Sequence, residues 1–203
     1  MNKPLVILIS TLFGLTVAPA QLAQGDAAAG QAKYALCATC HGNDGNSVLA
    51  MNPKLAGQNA KYLVKQLQDF KSGARSNLTM SAMVLSLSEQ DMHDIAAWYA
   101  SQQPTMQGAN PESVELAESL YRGGIQEVSV AACSACHSPT GSGNAPAGFP
   151  ALSGQHQEYI LQQLKDFRAG VRQNDDSGMM RTVVERLTDK ELEALASYVS
   201  GLN

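Results

Sequence analysis

Apolar residues recur at helical spacing in two equivalent stretches of the chain. Both stretches place apolar or aromatic side chains three or four residues apart, the period of an amphipathic helix. The residues that carry this pattern are Tyr62, Leu63, Leu67 and Phe70 in the first stretch and Tyr159, Ile160, Leu164 and Phe167 in the second. We predict one amphipathic helix in the middle of each half, with the four aromatic rings in an ordinary apolar core.

Helix start signals mark further elements at corresponding places. Residues suited to an N-cap stand at Asp26, Ser88, Asn110 and Thr188, with Pro111 at the first helical position after Asn110. Thr188 and Glu191 form a capping box ahead of an apolar stripe that begins at Leu192. Because no sustained alternation of period two and no hairpin signal occurs, the predicted fold class is all-α.

The first twenty residues have the pattern of an export signal. Lys3 supplies a positive charge, residues 5–17 are apolar, and Ala18-Pro19-Ala20 offers small residues for a signal peptidase. An uncleaved membrane anchor is the alternative, but the apolar run is shorter than the roughly 20 residues that a spanning helix needs. We predict a cleaved signal peptide over 1–20, a mature start at Gln21 and export.

The rest of the chain repeats itself. Residues 53–58 (PKLAGQ) match 150–155 (PALSGQ), and 62–70 match 159–167, both at an offset of 97 residues. The offset reaches 100 where Leu87 aligns with Leu187. We predict two homologous domains at 21–101 and 111–203, joined by a polar linker at 102–110.

Composition and charge exclude several classes of protein. The chain has 203 residues, 44% hydrophobic and 16% charged, with 14 Lys and Arg against 18 Asp and Glu. These values argue against intrinsic disorder, and they offer no basic surface for nucleic acid. Residues 21–101 carry six basic and six acidic side chains, whereas 102–203 carry seven and twelve. This asymmetry either orients the molecule toward a partner or serves solubility.

Each half contains one chemically specific motif. Two C-x-x-C-H sequences are present, formed by Cys37, Cys40 and His41 and by Cys133, Cys136 and His137. This motif is the attachment signal of c-type haem, in which two thiols bind the porphyrin and the histidine binds the iron. Two disulfides, a zinc site and a thioredoxin-like redox pair are the alternatives. The long spacer between the motifs argues against zinc, and the helical flanking patterns argue against a thioredoxin fold. We predict two covalently bound haem c groups.

The paired order of these segments resembles the dihaem cytochrome c4 family of periplasmic electron carriers. The resemblance rests on the duplicated C-x-x-C-H motif, the P-x-L-x-G-Q segments, the Tyr-x₃-Gln-Leu-x-x-Phe helices and the late methionines, and it covers the whole mature chain. It implies two tandem class I cytochrome c domains related by pseudo-twofold symmetry. It also implies that the haem propionates meet near the domain interface.

The same resemblance suggests the remaining iron ligands. The family places a methionine before the final capped helix, which favours Met80 over Met83. The repeat aligns Met80 with Met180 and Met83 with a valine, and Met179 is the fallback for Met180. The resemblance also implies that the Pro53 and Pro150 carbonyls accept a hydrogen bond from the proximal histidines.

Four further polar residues have two interpretations each. His93 and His156 are interpreted as surface residues rather than as alternative axial ligands. Arg75 and Arg172 occupy equivalent positions and either pair with haem propionates or lie on a solvated surface.

We therefore predict a carrier of single electrons through two six-coordinate His/Met haems, which is not an enzyme and has no small-molecule substrate. By resemblance, its donor is respiratory and its acceptor is a terminal oxidase or another redox protein, with association to the membrane face. Two alternatives stay open. The chain is an electron-transfer subunit of a larger membrane or dehydrogenase complex, or it is a dihaem peroxidase-type enzyme with one open iron.

Overall fold

The computed structural model describes residues 24–202, so the predicted signal peptide lies outside the described residues. The regular elements of the first half are five α-helices: α1 (Ala27–Lys33), α2 (Ala35–His41), α3 (Ala60–Ser72), α4 (Leu78–Val84) and α5 (Glu89–Ala100). Those of the second half are α6 (Val114–Gly123), α7 (Ser134–His137), α8 (Gln157–Arg168), α9 (Met179–Val184) and α10 (Asp189–Ser200). Short 3₁₀ turns occupy Pro111–Ser113, Gln126–Val128 and Asp176–Gly178.

The all-α prediction is confirmed within residues 24–202, where the β structure amounts to two isolated bridges, at 125/130 and 144/149. Among the same residues, no helix combines the length and the apolarity that crossing a membrane requires.

Each half packs its helices around the last one. Helices α1 and α3 lie against α5, and α6 and α8 lie against α10 in the same way. The first core contains Leu63, Val64, Ile95, Ala96 and Tyr99. The second is larger, and its most deeply buried members include Ala117, Tyr121, Leu192 and Ala196. The two clusters share no residue, so each half has an apolar core of its own.

The predicted caps form, with one difference. Ser88 and Asp91 make a reciprocal capping box at α5, and Thr188 and Glu191 make another at α10. Asp26 caps α1. The element that Asn110 caps begins as a 3₁₀ turn at Pro111 and becomes an α-helix only at Val114.

One buried carboxylate joins α1 to α5 by hydrogen bonds in the first half. Asp94 is 3% exposed and accepts hydrogen bonds from the Asp26 backbone N–H at 3.0 Å, from Lys33 Nζ at 2.9 Å and from Gln90 Nε2 at 2.8 Å. These donors favour the charged form and lower the pKa of Asp94 to about 2. The sequence patterns did not single out this residue.

The segment 102–110 is bonded to both halves. In the first half, Lys54 Nζ donates to the Thr105 carbonyl at 2.7 Å and the Thr105 N–H donates to Asn46 Oδ1 at 2.8 Å. In the second half, the Asn110 N–H donates to Ser197 Oγ at 2.8 Å. The segment therefore joins the halves by hydrogen bonds as well as by the covalent chain.

Candidate haem sites

The first C-x-x-C-H motif lies on α2. Cys37 and Cys40 stand three residues apart, about one helical turn, and His41 ends the helix. The His41 ring is 6% exposed, and its Nδ1–H donates to the Pro53 carbonyl at 2.8 Å. This bond fixes the ring and leaves Nε2 as the nitrogen available to iron.

The second motif repeats this geometry on α7. Cys133 is the N-cap of the helix, Cys136 lies within it, and His137 is its last residue. The His137 ring is 7% exposed, and its Nδ1–H donates to the Pro150 carbonyl at 3.0 Å. The two prolines that the resemblance placed beside the proximal histidines are thus in contact with them in both halves.

Burial shifts the pKa of several of these groups. It lowers the pKa of His41 and His137, although the bond to the proline carbonyl works in the opposite direction. Burial also raises the pKa of the Cys37 thiol, and it raises that of the Cys133 thiol to about 11. The four cysteines form no disulfide in the structure. A buried imidazole beside two cysteines that are not paired with each other fits covalent haem attachment.

The two predicted methionine ligands occupy equivalent helices. Met80 is the third residue of α4 and Met180 the second of α9. Both helices end at a valine that is 1% exposed, Val84 and Val184, in keeping with the predicted offset of 100 residues. Both methionines are half-buried, and Met180 packs against the core of its domain.

The two alternatives to these methionines are more exposed. Met83 and Met179 are 38% and 40% exposed, respectively. Ligation by Met80 and Met180 stays a prediction.

The two arginines meet at the boundary between the halves. Arg172 is 9% exposed and Arg75 is half-buried, so neither lies on a solvated surface. Each stacks its guanidinium on the phenylalanine of its own middle helix, at 4.7 Å from the Phe70 ring centroid and 4.5 Å from that of Phe167. Each also bonds the middle-helix tyrosine of the other half, Arg75 to Tyr159 at 3.0 Å and Arg172 to Tyr62 at 3.2 Å.

The hydrogen-bond partners of both guanidinium groups are neutral amide and hydroxyl oxygens within residues 24–202. Two cations at a protein boundary with only neutral acceptors present an environment that suits carboxylate groups. The propionates of haem are such groups.

Two buried polar atoms of the first half also fit a bound group. Trp98 Nε1 and the Tyr99 hydroxyl are buried with no hydrogen-bond partner among the described residues. Burial raises the pKa of Tyr99 above its usual range, so this hydroxyl remains a donor. Unpaired buried donors are rare in folded proteins, and a group that accepts hydrogen bonds would satisfy them.

The interpretation of His156 as a surface residue is wrong. His156 is 7% exposed at the boundary between the halves. Its Nε2 lies 2.9 Å from both the hydroxyl and the carbonyl oxygen of Ser47, and its Nδ1 lies 2.9 Å from Gln107 Nε2. Both ring nitrogens are thus engaged by the first half and by the linker. His93 is half-buried on α5.

A model of the cytochrome c family matches the chain twice, over residues 27–103 and 125–203. A cytochrome c4 from Pseudomonas aeruginosa is 50% identical over 204 residues that cover all of both chains. The chain belongs to the cytochrome c4 family. A crystal structure of reduced recombinant cytochrome c4 from Pseudomonas stutzeri superposes with a TM-score of 0.86 at 48% identity, covering 88% of this chain and 100% of that one.

A further relative is a thiosulfate dehydrogenase electron acceptor from Stutzerimonas stutzeri, 39% identical and covering 82% of this chain and 78% of that protein.

Family membership establishes the cofactor, because cytochrome c domains bind haem c covalently and the chain holds two such domains. The protein is a dihaem electron carrier and not an enzyme, and other redox proteins are its partners.

Proposed function

We propose that this protein carries single electrons in the periplasm from a respiratory donor to a terminal oxidase. One observation carries the proposal: both domains repeat a buried imidazole held at Nδ1 and a half-buried methionine on an equivalent short helix. His41 and Met80 would bind one iron, and His137 and Met180 the other. With a histidine and a methionine of the chain bound to each iron, neither iron would be open to a substrate.

The cysteines of the two C-x-x-C-H motifs attach the haems. Cys37 and Cys40 attach the first haem, and Cys133 and Cys136 attach the second. We propose the boundaries 1–20 for the signal peptide, 21–101 and 111–203 for the two domains, and 102–110 for the linker. Association with the membrane face through a respiratory partner belongs to the same proposal.

Haem supplies a reversible one-electron change between Fe(III) and Fe(II). The residues of the chain determine how readily that change occurs. A methionine thioether favours the reduced iron and raises the potential, whereas a hydrogen-bonded imidazole favours the oxidised iron. Arg75 and Arg172 provide positive charge at the domain boundary, where they would face the propionates.

A second candidate function is that of the electron-transfer subunit of a dehydrogenase. The relative described as a thiosulfate dehydrogenase electron acceptor favours it, because that protein is 39% identical to this chain over 78% of its own length. The two candidates differ in the partner and not in the chemistry of the haems.

Methionine ligation is tested by two matched pairs of variants. We expect Met80→Ala and Met180→Ala each to open one iron, so that the reduced protein binds carbon monoxide at one haem. Met83→Ala and Met179→Ala are the controls, because each removes a more exposed methionine nearby. Carbon monoxide binding by Met83→Ala but not by Met80→Ala, or by Met179→Ala but not by Met180→Ala, would contradict the assignment.

The route of the electrons is tested with the holoprotein of wild-type sequence. Its oxidation by membranes that contain terminal oxidases is followed optically, and in parallel its reduction by a thiosulfate dehydrogenase with thiosulfate. Fast oxidation by the membranes supports the first candidate. Fast reduction by the dehydrogenase, with slow oxidation by the membranes, favours the second.

A further inference from the structure

The last residue of each P-x-L-x-G-Q segment reaches into the other domain. Gln155 of the second domain places its carboxamide against the backbone of Lys54 in the first. Its Oε1 accepts from the Lys54 N–H at 2.8 Å, and its Nε2 donates to the Lys54 carbonyl at 2.9 Å. The Gln155 side chain is buried, so solvent does not compete for these bonds.

Gln58 of the first domain makes the reciprocal contact with Ala151 of the second. Its Oε1 accepts from the Ala151 N–H at 2.8 Å, and its Nε2 donates to the Ala151 carbonyl at 2.9 Å. The two glutamines are equally buried, each 7% exposed.

The orientation of both amides is fixed by their surroundings. Each Oε1 accepts a second backbone N–H, that of Asn59 for Gln58 at 2.9 Å and that of His156 for Gln155 at 3.0 Å. A carboxamide with two donors on one side and a carbonyl on the other has one satisfied orientation.

Each glutamine bonds the peptide group that holds a proximal histidine. The Lys54 N–H and the Pro53 carbonyl belong to one peptide unit, and that carbonyl accepts from His41 Nδ1 at 2.8 Å. A single peptide plane therefore connects the imidazole of the first domain to Gln155 of the second. The Pro150–Ala151 peptide connects His137 to Gln58 in the same way.

We propose that Gln58 and Gln155 are positioning residues that act across the domain boundary, each setting the donor strength of the other domain's proximal histidine and thereby the potential of the other domain's haem. This inference rests on the proposed ligation by His41 and His137. It gives the P-x-L-x-G-Q segment two functions, with its proline serving its own domain and its glutamine serving the other.

The direction of the effect follows from polarisation of the peptide. A peptide whose N–H is hydrogen-bonded carries more negative charge on its carbonyl oxygen. A more negative Pro53 oxygen accepts more strongly from His41 Nδ1 and makes that imidazole a stronger donor to iron, which favours the oxidised state. Loss of the Gln155 carboxamide therefore raises the potential of the first haem.

A purely structural role predicts a different result. Other bonds also join the domains, such as that from Lys61 Nζ to the Pro146 carbonyl at 2.8 Å, which does not involve the peptide beside either proximal histidine. If the glutamines only held the domains together, their loss would resemble the loss of this lysine contact.

The experiment compares Gln155→Leu, Gln58→Leu and Lys61→Met in the holoprotein. Each variant is titrated electrochemically, with the haem signals assigned to their domains by NMR. We expect Gln155→Leu to raise the potential of the first haem and to leave that of the second unchanged. Gln58→Leu is expected to do the reverse, and Lys61→Met to move neither.

The His41 Nδ1 proton gives a second measurement in the reduced protein. Its NMR resonance should move upfield in Gln155→Leu, as expected for a weaker hydrogen bond, and should stay in place in Gln58→Leu. A shift of the mutated domain's own haem, equal shifts of both haems, or unchanged potentials in a folded variant would overturn the inference. The carbon monoxide test of the methionine variants checks the proposed function independently of these potentials. If that test succeeds and the crossed shifts are absent, this inference alone is contradicted.

Discussion

Arg75 and Arg172 share two acceptors, and this sharing predicts that their contributions to stability are coupled. Gln66 Oε1 accepts from Arg75 at 2.8 Å and from Arg172 at 3.0 Å. Gln163 Oε1 accepts from Arg75 at 2.7 Å and from Arg172 at 3.0 Å. Because either oxygen keeps one guanidinium donor when the other is removed, we expect Arg75→Met and Arg172→Met together to destabilise the protein by more than the sum of their separate effects.

The size of the coupling is set by the hydrogen bonds that are lost only when both arginines are replaced. Gln66 Oε1 still accepts from Asn174 Nδ2 at 3.0 Å, so Gln163 Oε1 alone loses both of its donors. An unpaired buried acceptor costs about 1–3 kcal/mol, and since Gln163 is half-buried we take the lower part of that range. Repulsion between the two cations adds to the coupling in the same direction. The expected excess over additivity is about 1–2 kcal/mol.

The single variants should also differ from each other. Arg172 alone bonds the Tyr62 hydroxyl and Asn174 Oδ1, whereas Arg75 alone bonds the Tyr159 hydroxyl. At about 1 kcal/mol for each such bond, we expect Arg172→Met to be the more destabilising by about 1 kcal/mol.

The assay is unfolding of the holoprotein in guanidinium chloride, followed by haem absorbance and by far-UV circular dichroism. Arg75→Met combined with Lys61→Met is the control pair, because Lys61 shares no acceptor with Arg75. Distant pairs add to within about 0.5 kcal/mol. Additivity of Arg75→Met and Arg172→Met to the same precision would refute the shared-acceptor reasoning.

Two further predictions concern the first domain. We expect Asp94→Asn to lower the free energy of unfolding by about 1–3 kcal/mol at pH 7. Since the native pKa is about 2 and an unfolded aspartate titrates near 3.9, the deficit should shrink as pH falls from 4 to 2, and a constant deficit in denaturant titrations would contradict this. Gly45→Ala should lower the thermal midpoint more than Gly73→Ala. Both have φ near +80°, but a Cβ at Gly45 would lie 2.7 Å from Ala56 N, while one at Gly73 meets nothing within 4 Å.

Local sequence signals were sufficient to predict the starts of several helices and the haem-binding motifs. The capping boxes at Ser88 and Thr188 involve residues three positions apart, so the sequence alone predicts the starts of α5 and α10. The C-x-x-C-H motifs are equally local, so the sequence alone indicates haem. The repeat then supplied the equivalence of Met80 and Met180, which neither position indicates by itself.

Contacts between the domains could not be predicted in this way. His156, Arg172 and Gln155 all bond residues about one hundred positions away, and nothing in their own neighbourhood distinguishes a buried interface residue from an exposed one. The repeat did contain one usable signal. Polar residues that recur at matching positions of both domains, as Gln58 and Gln155 do, are candidates for reciprocal contacts across a pseudo-twofold interface.

The central claim is that two covalently attached haems are both closed by histidine and methionine. The most direct test is the intact mass of the purified protein together with its optical spectrum, recorded oxidised and then reduced under carbon monoxide. We predict a mass that includes two haems, a sulfur-to-iron charge-transfer band in the oxidised protein, and no spectral response to carbon monoxide. Carbon monoxide binding at either haem of the wild-type protein would show an open iron and contradict the account, beginning with Met80 or Met180.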